Sequence, residues 1–208
     1  MADQDMRLLA DNPSRSEAQT RYHAVIRWLH WMMAACFVFM WLSGYTMRNL
    51  MPHDSPTQEY IYDLHKSVGV TLIVLLVARL CARVLTRLPE LPDRLPTAER
   101  RAAKVGHWTL YVLIILGVTT GWALTDFGGH GVVWFGVPMP QVFPIREQLF
   151  GITLDPLTST IHAWLVYGLL ALVVVHVAAV VKHRLKDRID LLPRIAIWRN
   201  RPAKETTR

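Results

Sequence analysis

Four apolar blocks alternate with charged or proline-rich stretches along the chain. The clearest lies in TSTIHAWLVYGLLALVVVHVAAVVKHR, where no Asp, Glu, Lys or Arg occurs between Leu157 and Val181. About 20 apolar residues suffice for a helix to cross a bilayer core, so this block predicts a span over 158–183. The other blocks predict spans over 25–47, 60–85 and 105–125. In the second, the wholly uncharged run is only Ser67–Ala78. It reaches across the core if Arg79 and Arg83 snorkel or meet an anionic group. The fold class implied is all-α, a four-helix transmembrane bundle.

The stretches between the blocks fix the organisation. Residues 1–21 are polar and mixed in charge and read as a mobile tail, residues 22–198 as one four-span domain, and 199–208 as a basic tail. The connection 126–155 contains GGHG and WFGVPMP, too much Gly and Pro for continuous helix, and its apolar residues predict a cap on the bundle end. Residues 187–198 mix basic and apolar positions around Pro193, as expected of an interfacial segment. The first 27 residues lack the apolar core of a cleavable signal.

Charge changes the picture only through its placement. The net charge of +7 would suit nucleic acid, but 20 of the 23 Lys and Arg fall in 1–27, 79–104 and 182–208. With four spans those segments share one side, which the positive-inside rule makes cytoplasmic, together with both termini. The partner implied is membrane lipid, with no nucleic acid. The expected location is a bacterial inner membrane, crossed four times. Cys36 and Cys81 form no CxxC, so a disulfide framework and covalent haem attachment are both excluded.

The chemistry lies in histidines placed inside apolar blocks, where ionisable groups are costly and mark function. His162 and His176 are fourteen residues apart, a rise of about 21 Å that brings both rings to within about 40° of one helix face. The same interval separates His30 from Gly44, His65 from Arg79, and His107 from Gly121. With the spans alternating in direction, His65, His162, Gly44 and Gly121 share the periplasmic depth. His30, His176, Arg79 and His107 share the cytoplasmic depth. Two flat ligands stacked along the bundle axis would require this pattern, and two haem b groups with paired imidazole ligands meet it. Glycine lets backbone approach a macrocycle, and Arg79 can neutralise a propionate. His107 is the ambiguous member, either a third candidate ligand or a hydrogen-bonding partner of a propionate or quinone. Zinc and di-iron sites would need HExxH or inward carboxylates, and a proton relay an intramembrane acid; the membrane interior contains neither.

These residues sit in motifs that together resemble the prokaryotic cytochrome b561 family. They are RWLHW in the first block, YDLHKSVG and VARLCAR in the second, VGHWTLYVL in the third and WFGVPMP in the long connection. IHAWL, VVHVAAVVKH and KDRIDLLPR follow, and the likeness covers roughly Tyr22–Ile195. It implies a four-helix bundle with two b haems, one held by His30 and His176 and the other by His65 and His162. It also implies superoxide oxidation to dioxygen at the periplasmic face, with ubiquinone as the electron partner. Lys66, beside His65, is then the candidate cation for drawing in superoxide, although connections 48–63 and 126–155 each sum to −2. The alternative is a membrane-anchor cytochrome b subunit that passes electrons between quinone and a partner dehydrogenase or hydrogenase.

Overall fold

The computed structural model describes residues 21–89, 95–145 and 148–198. The expected tails at 1–20 and 199–208 lie outside the described residues. Four long helices account for most of the rest: α1 (Ala24–Asn49), α2 (Pro56–Leu85), α3 (Thr97–Phe127) and α4 (Leu154–Leu185). All four are long and apolar enough to cross a membrane. The shortest, at 26 residues, is about 39 Å long and exceeds the roughly 30 Å core.

Each helix outruns its apolar block because polar residues at its ends also favour helix. In α3 the run TAERRAAK, rich in helix formers, adds two turns before Val105, and Pro96 precedes the first turn. Ser55 caps α2 by accepting from the Gln58 amide at 3.2 Å. The Gln58 side chain reaches back to the Asp54 amide at 2.9 Å, a reciprocal cap that starts the helix four residues before Tyr60.

The bundle consists of two helical hairpins. Helix α1 packs along α2 and α3 along α4, while the hairpins meet chiefly through α2 and α3. Met33, Leu72, Leu75, Leu76 and Tyr111 form the buried cluster at mid-depth, so Tyr111 of α3 bridges to the first hairpin. One bundle end carries Arg21 and Trp198 and is called the terminal end below. The opposite end, the loop end, carries the 50–55 and 128–153 connections.

The 128–153 connection forms two short hairpins, β1–β2 (Val133–Trp134 with Val137–Pro138) and β3–β4 (Gln148–Leu149 with Ile152–Thr153). Both turn on a Phe-Gly pair. Phe135 and Gly136 have φ of 47° and 88°, and Phe150 and Gly151 have 53° and 79°. Two successive positive φ values match the twist of a two-residue hairpin, and glycine makes the second one easy. The first hairpin is tied to α2: Trp134 Nε1 donates to Thr71 Oγ1 (3.0 Å) and the Phe135 amide to Ser67 Oγ (3.0 Å). Asp126, 1% exposed at the end of α3, accepts from the Val142 and Phe143 amides at 2.8 and 3.0 Å. The connection is thus the expected cap, fastened to both hairpins.

At the terminal end the chain after α4 folds back as a strap containing the one-turn helix α5 (Leu192–Ile195). Arg21 donates to the carbonyls of Pro193, Ala196 and Trp198, and Trp31 Nε1 to that of Ile195 at 3.0 Å. Arg21, the last residue of the expected mobile tail, is therefore held in place. Arg194 donates to the Pro89 carbonyl at 3.2 Å, joining the strap to the α2–α3 connection.

Candidate functional site

The helices bring the histidines together in two layers, one at each depth expected from the fourteen-residue interval. In the terminal-end layer the His30 and His176 rings have centroids 6.5 Å apart, at 63° to each other. A metal–imidazole bond is about 2 Å, so two rings on opposite sides of one metal have centroids about 6 Å apart. His30 of α1 and His176 of α4 meet that spacing. His107 lies nearer to His176, at 5.3 Å and 75°. That is short for two rings flanking an iron and suits a neighbour of the site.

Arg79 completes this layer. It is 7% exposed, and its charge acts on His30, His107 and His176. Its Nη1 is buried and has no hydrogen-bond partner among the described residues. A buried cation with an unused donor is costly unless an anion lies against it. The carboxylate of a propionate is such an anion.

The loop-end layer holds His65 of α2 and His162 of α4, close enough to interact electrostatically. A carbonyl fixes the tautomer of His162. His162 Nδ1 lies 3.0 Å from the Gly117 carbonyl, which can only accept, so Nδ1 carries the proton. Thr120 Oγ1, 3.2 Å from the same nitrogen, already donates to the Leu116 carbonyl. Ser43 Oγ lies 2.8 Å from His65 Nδ1 and 3.2 Å from the Met40 carbonyl. His107 Nδ1 meets the Ala103 carbonyl at 2.7 Å. In His107 and His162, therefore, Nε2 keeps its lone pair, the form that a metal ligand needs.

Gly44 and Gly121 sit against the rings themselves. A Cβ on Gly121 would lie 3.1 Å from His162 Cε1, and one on Gly44 would lie 3.4 Å from His65 Cε1. A side chain there would crowd the imidazole, most of all at Gly121. Ser43 and Thr120, absent from the sequence expectations, had a legible signal: each immediately precedes one of these glycines. Tyr111, Trp122 and Asp126, each with a buried polar atom unpartnered among the described residues, had none.

Two further positions lie at the bundle ends. Lys66 is paired with Asp63 at 2.7 Å, and its side chain is 19% exposed. His183 joins a cluster that ties α3 to α4. Lys182 reaches Glu99 at 2.5 Å and Asp187 at 3.1 Å, and His183 reaches Asp187 at 2.8 Å. The His183 hydrogen bond, then that of Lys182, holds the Asp187 carboxyl below its ordinary range. The cluster's carboxylates already have cationic partners.

Residues 21–196 match the family model described as prokaryotic cytochrome b561. Cytochrome b561 homolog 2 of Escherichia coli (strain K12) is 29% identical over 179 residues, covering 84% of this chain and 90% of that protein. A Yersinia pestis protein named "Probable superoxide oxidase CybB" is 26% identical over 113 residues, covering 54% of this chain and 62% of that protein.

Proposed function

The chain belongs to the prokaryotic cytochrome b561 family, and from that premise we propose that it is a di-haem superoxide:ubiquinone oxidoreductase of the bacterial inner membrane. Family membership makes it a membrane electron-transfer protein that binds haem b. The di-haem part of that proposal rests on one observation: two layers of inward histidines, with Nε2 left free in His162, whose tautomer a carbonyl fixes. On this proposal His30 and His176 hold the terminal-end haem, and His65 and His162 the loop-end haem. When bound, haem b supplies reversible one-electron transfer. Held by two histidines each, the irons would offer oxygen no open position.

The chain's own residues do the rest. Gly44 and Gly121 admit the loop-end rings, and Ser43, Thr120 and the Gly117 carbonyl hold their orientation. Arg79 supplies the charge that a propionate needs at its depth. His107, one ring away from His176, orders the polar side of the same layer. With the terminal end cytoplasmic, as the charge bias predicts, the loop end faces the periplasm. There two superoxide ions give up one electron each and become dioxygen. Ubiquinone takes the two electrons with two protons and becomes ubiquinol. Lys66 is the candidate for drawing superoxide towards the His65 layer. Its bond to Asp63 leaves it a short-range cation, since the pair is neutral at a distance.

The Lys66–Asp63 pair also gives the second function its support, because it weakens long-range attraction of an anion. In that case the chain is a membrane-anchor cytochrome b subunit, and a dehydrogenase or hydrogenase supplies or takes the electrons.

Haem counting tests the site assignment. Purified protein should carry two haems by pyridine haemochrome. His30→Ala and His176→Ala should each remove one and the same haem, and His65→Ala and His162→Ala the other. Loss of a haem in His107→Ala, with both retained in His30→Ala, would overturn the pairing.

A further inference from the structure

Tyr111 is 6% exposed, and its hydroxyl is buried without a hydrogen-bond partner among the described residues. It packs among Met33, Leu72, Leu75 and Leu76, at the point where α3 reaches the first hairpin. For packing alone phenylalanine would serve better, since an unsatisfied buried hydroxyl costs about 1–3 kcal/mol. The hydroxyl therefore marks a partner that the described residues do not supply.

Helix directions say where that partner lies. Side chains on a helix lean towards its N-terminus. Helix α3 begins at the terminal end, so Tyr111, one turn beyond His107, leans back towards the terminal-end layer. Helix α2 runs the other way, and Arg79 leans from that layer towards mid-depth. The two residues start about one turn apart in depth, on the helices through which the hairpins meet, and lean towards each other. Each carries a buried, unused donor: Tyr111 Oη and Arg79 Nη1. One oxyanion between them would satisfy both. The alternative assignment of Tyr111, to the loop-end layer, runs against its lean.

We propose that Tyr111 Oη and Arg79 Nη1 together clamp one carboxylate of the haem held by His30 and His176, making Tyr111 a positioning residue for that cofactor. This rests on the ligand assignment proposed above. A hydrogen bond from the phenol spreads the carboxylate charge and makes it a weaker stabiliser of oxidised iron. Removing the donor should favour the oxidised state of this haem alone.

The experiment is Tyr111→Phe in the haem-loaded protein, read by redox titration and thermal unfolding. His176→Ala first identifies, by the haem it removes, which signal belongs to the terminal-end site. Should His176→Ala keep both haems, the ligand assignment falls and the clamp with it. With that signal identified, Tyr111→Phe should keep both haems. At a fixed ambient potential it should lower the reduced-to-oxidised ratio of the terminal-end haem about threefold or more, since hydrogen bonds to charged groups are among the stronger ones. It should also lower thermal stability, and its effect should not simply add to that of Arg79→Gln, because the two donors share one acceptor. Unchanged potentials with equal or raised stability would overturn the clamp, as would a shift confined to the loop-end haem. Wild-type protein gives a check that needs no variant. Its redox-difference infrared spectrum should contain a band that moves on ring deuteration of tyrosine, and a spectrum without one contradicts the proposal.

Discussion

Ser43 and Thr120 occupy matching positions on α1 and α3, yet the structure makes them unequal. Ser43 Oγ is the partner that the structure gives His65 Nδ1, whereas His162 Nδ1 has the Gly117 carbonyl as well as Thr120. Ser43→Ala leaves His65 Nδ1 buried without this partner, which costs about 1–3 kcal/mol. It should therefore destabilise the loaded protein by about that much and loosen the loop-end haem. Thr120→Val leaves the carbonyl in place and should cost clearly less. Thermal unfolding with haem absorbance as the readout compares the two, and equal losses would mean that the carbonyl does not hold His162. Sequence showed the histidines because an ionisable group in an apolar block is visible by composition alone. It did not show Tyr111, since a tyrosine amid apolar residues reads as packing until the hydroxyl is found to lack a partner.

Among the elements, the strap after α4 governs how the two hairpins stay together at the terminal end. Arg21 and Trp31 of the first hairpin hold carbonyls of residues 193–198, and Arg194 holds that of Pro89. Each such bond contributes about 1 kcal/mol. Arg21→Ala combined with Trp31→Phe should release the strap while leaving the spans folded. Amide hydrogen exchange should then rise at 191–198 well before it rises in α1–α4, and unaltered protection there would show that the strap holds by other contacts. The four spans were legible because a bilayer imposes length and apolarity on any crossing helix, a requirement visible in sequence without neighbours. The capping loop was legible only as non-helical. Its two Phe-Gly turns place a bulky residue at positive φ, which ordinary turn preferences do not suggest, and its fastening to Ser67, Thr71 and Asp126 depends on residues far away in the chain.

For the whole molecule, two tightly paired hairpins that meet through a narrow central seam place one histidine layer on each side of mid-depth. That arrangement suits electron passage between the membrane faces, and it follows from antiparallel helices and a fourteen-residue interval. The layers were legible in sequence for that reason. The choice of His30 over His107 as partner of His176 was not settled by depth, and the 6.5 Å against 5.3 Å ring spacing supports it. What the sequence left hidden was the state of Lys66, whose bond to Asp63 depends on local rotamers. On the proposed function Lys66→Glu should slow haem reduction by superoxide and change its salt dependence, with little effect on reduction by ubiquinol. The most direct test of the central claim uses the purified chain alone, with a superoxide source and ubiquinone, followed by haem absorbance and ubiquinol formation. Rapid haem reduction should follow, with one ubiquinol formed for every two superoxide ions consumed and no other subunit present. Protein that retains both haems and yet is not reduced by superoxide would contradict the claim and favour the anchor-subunit function.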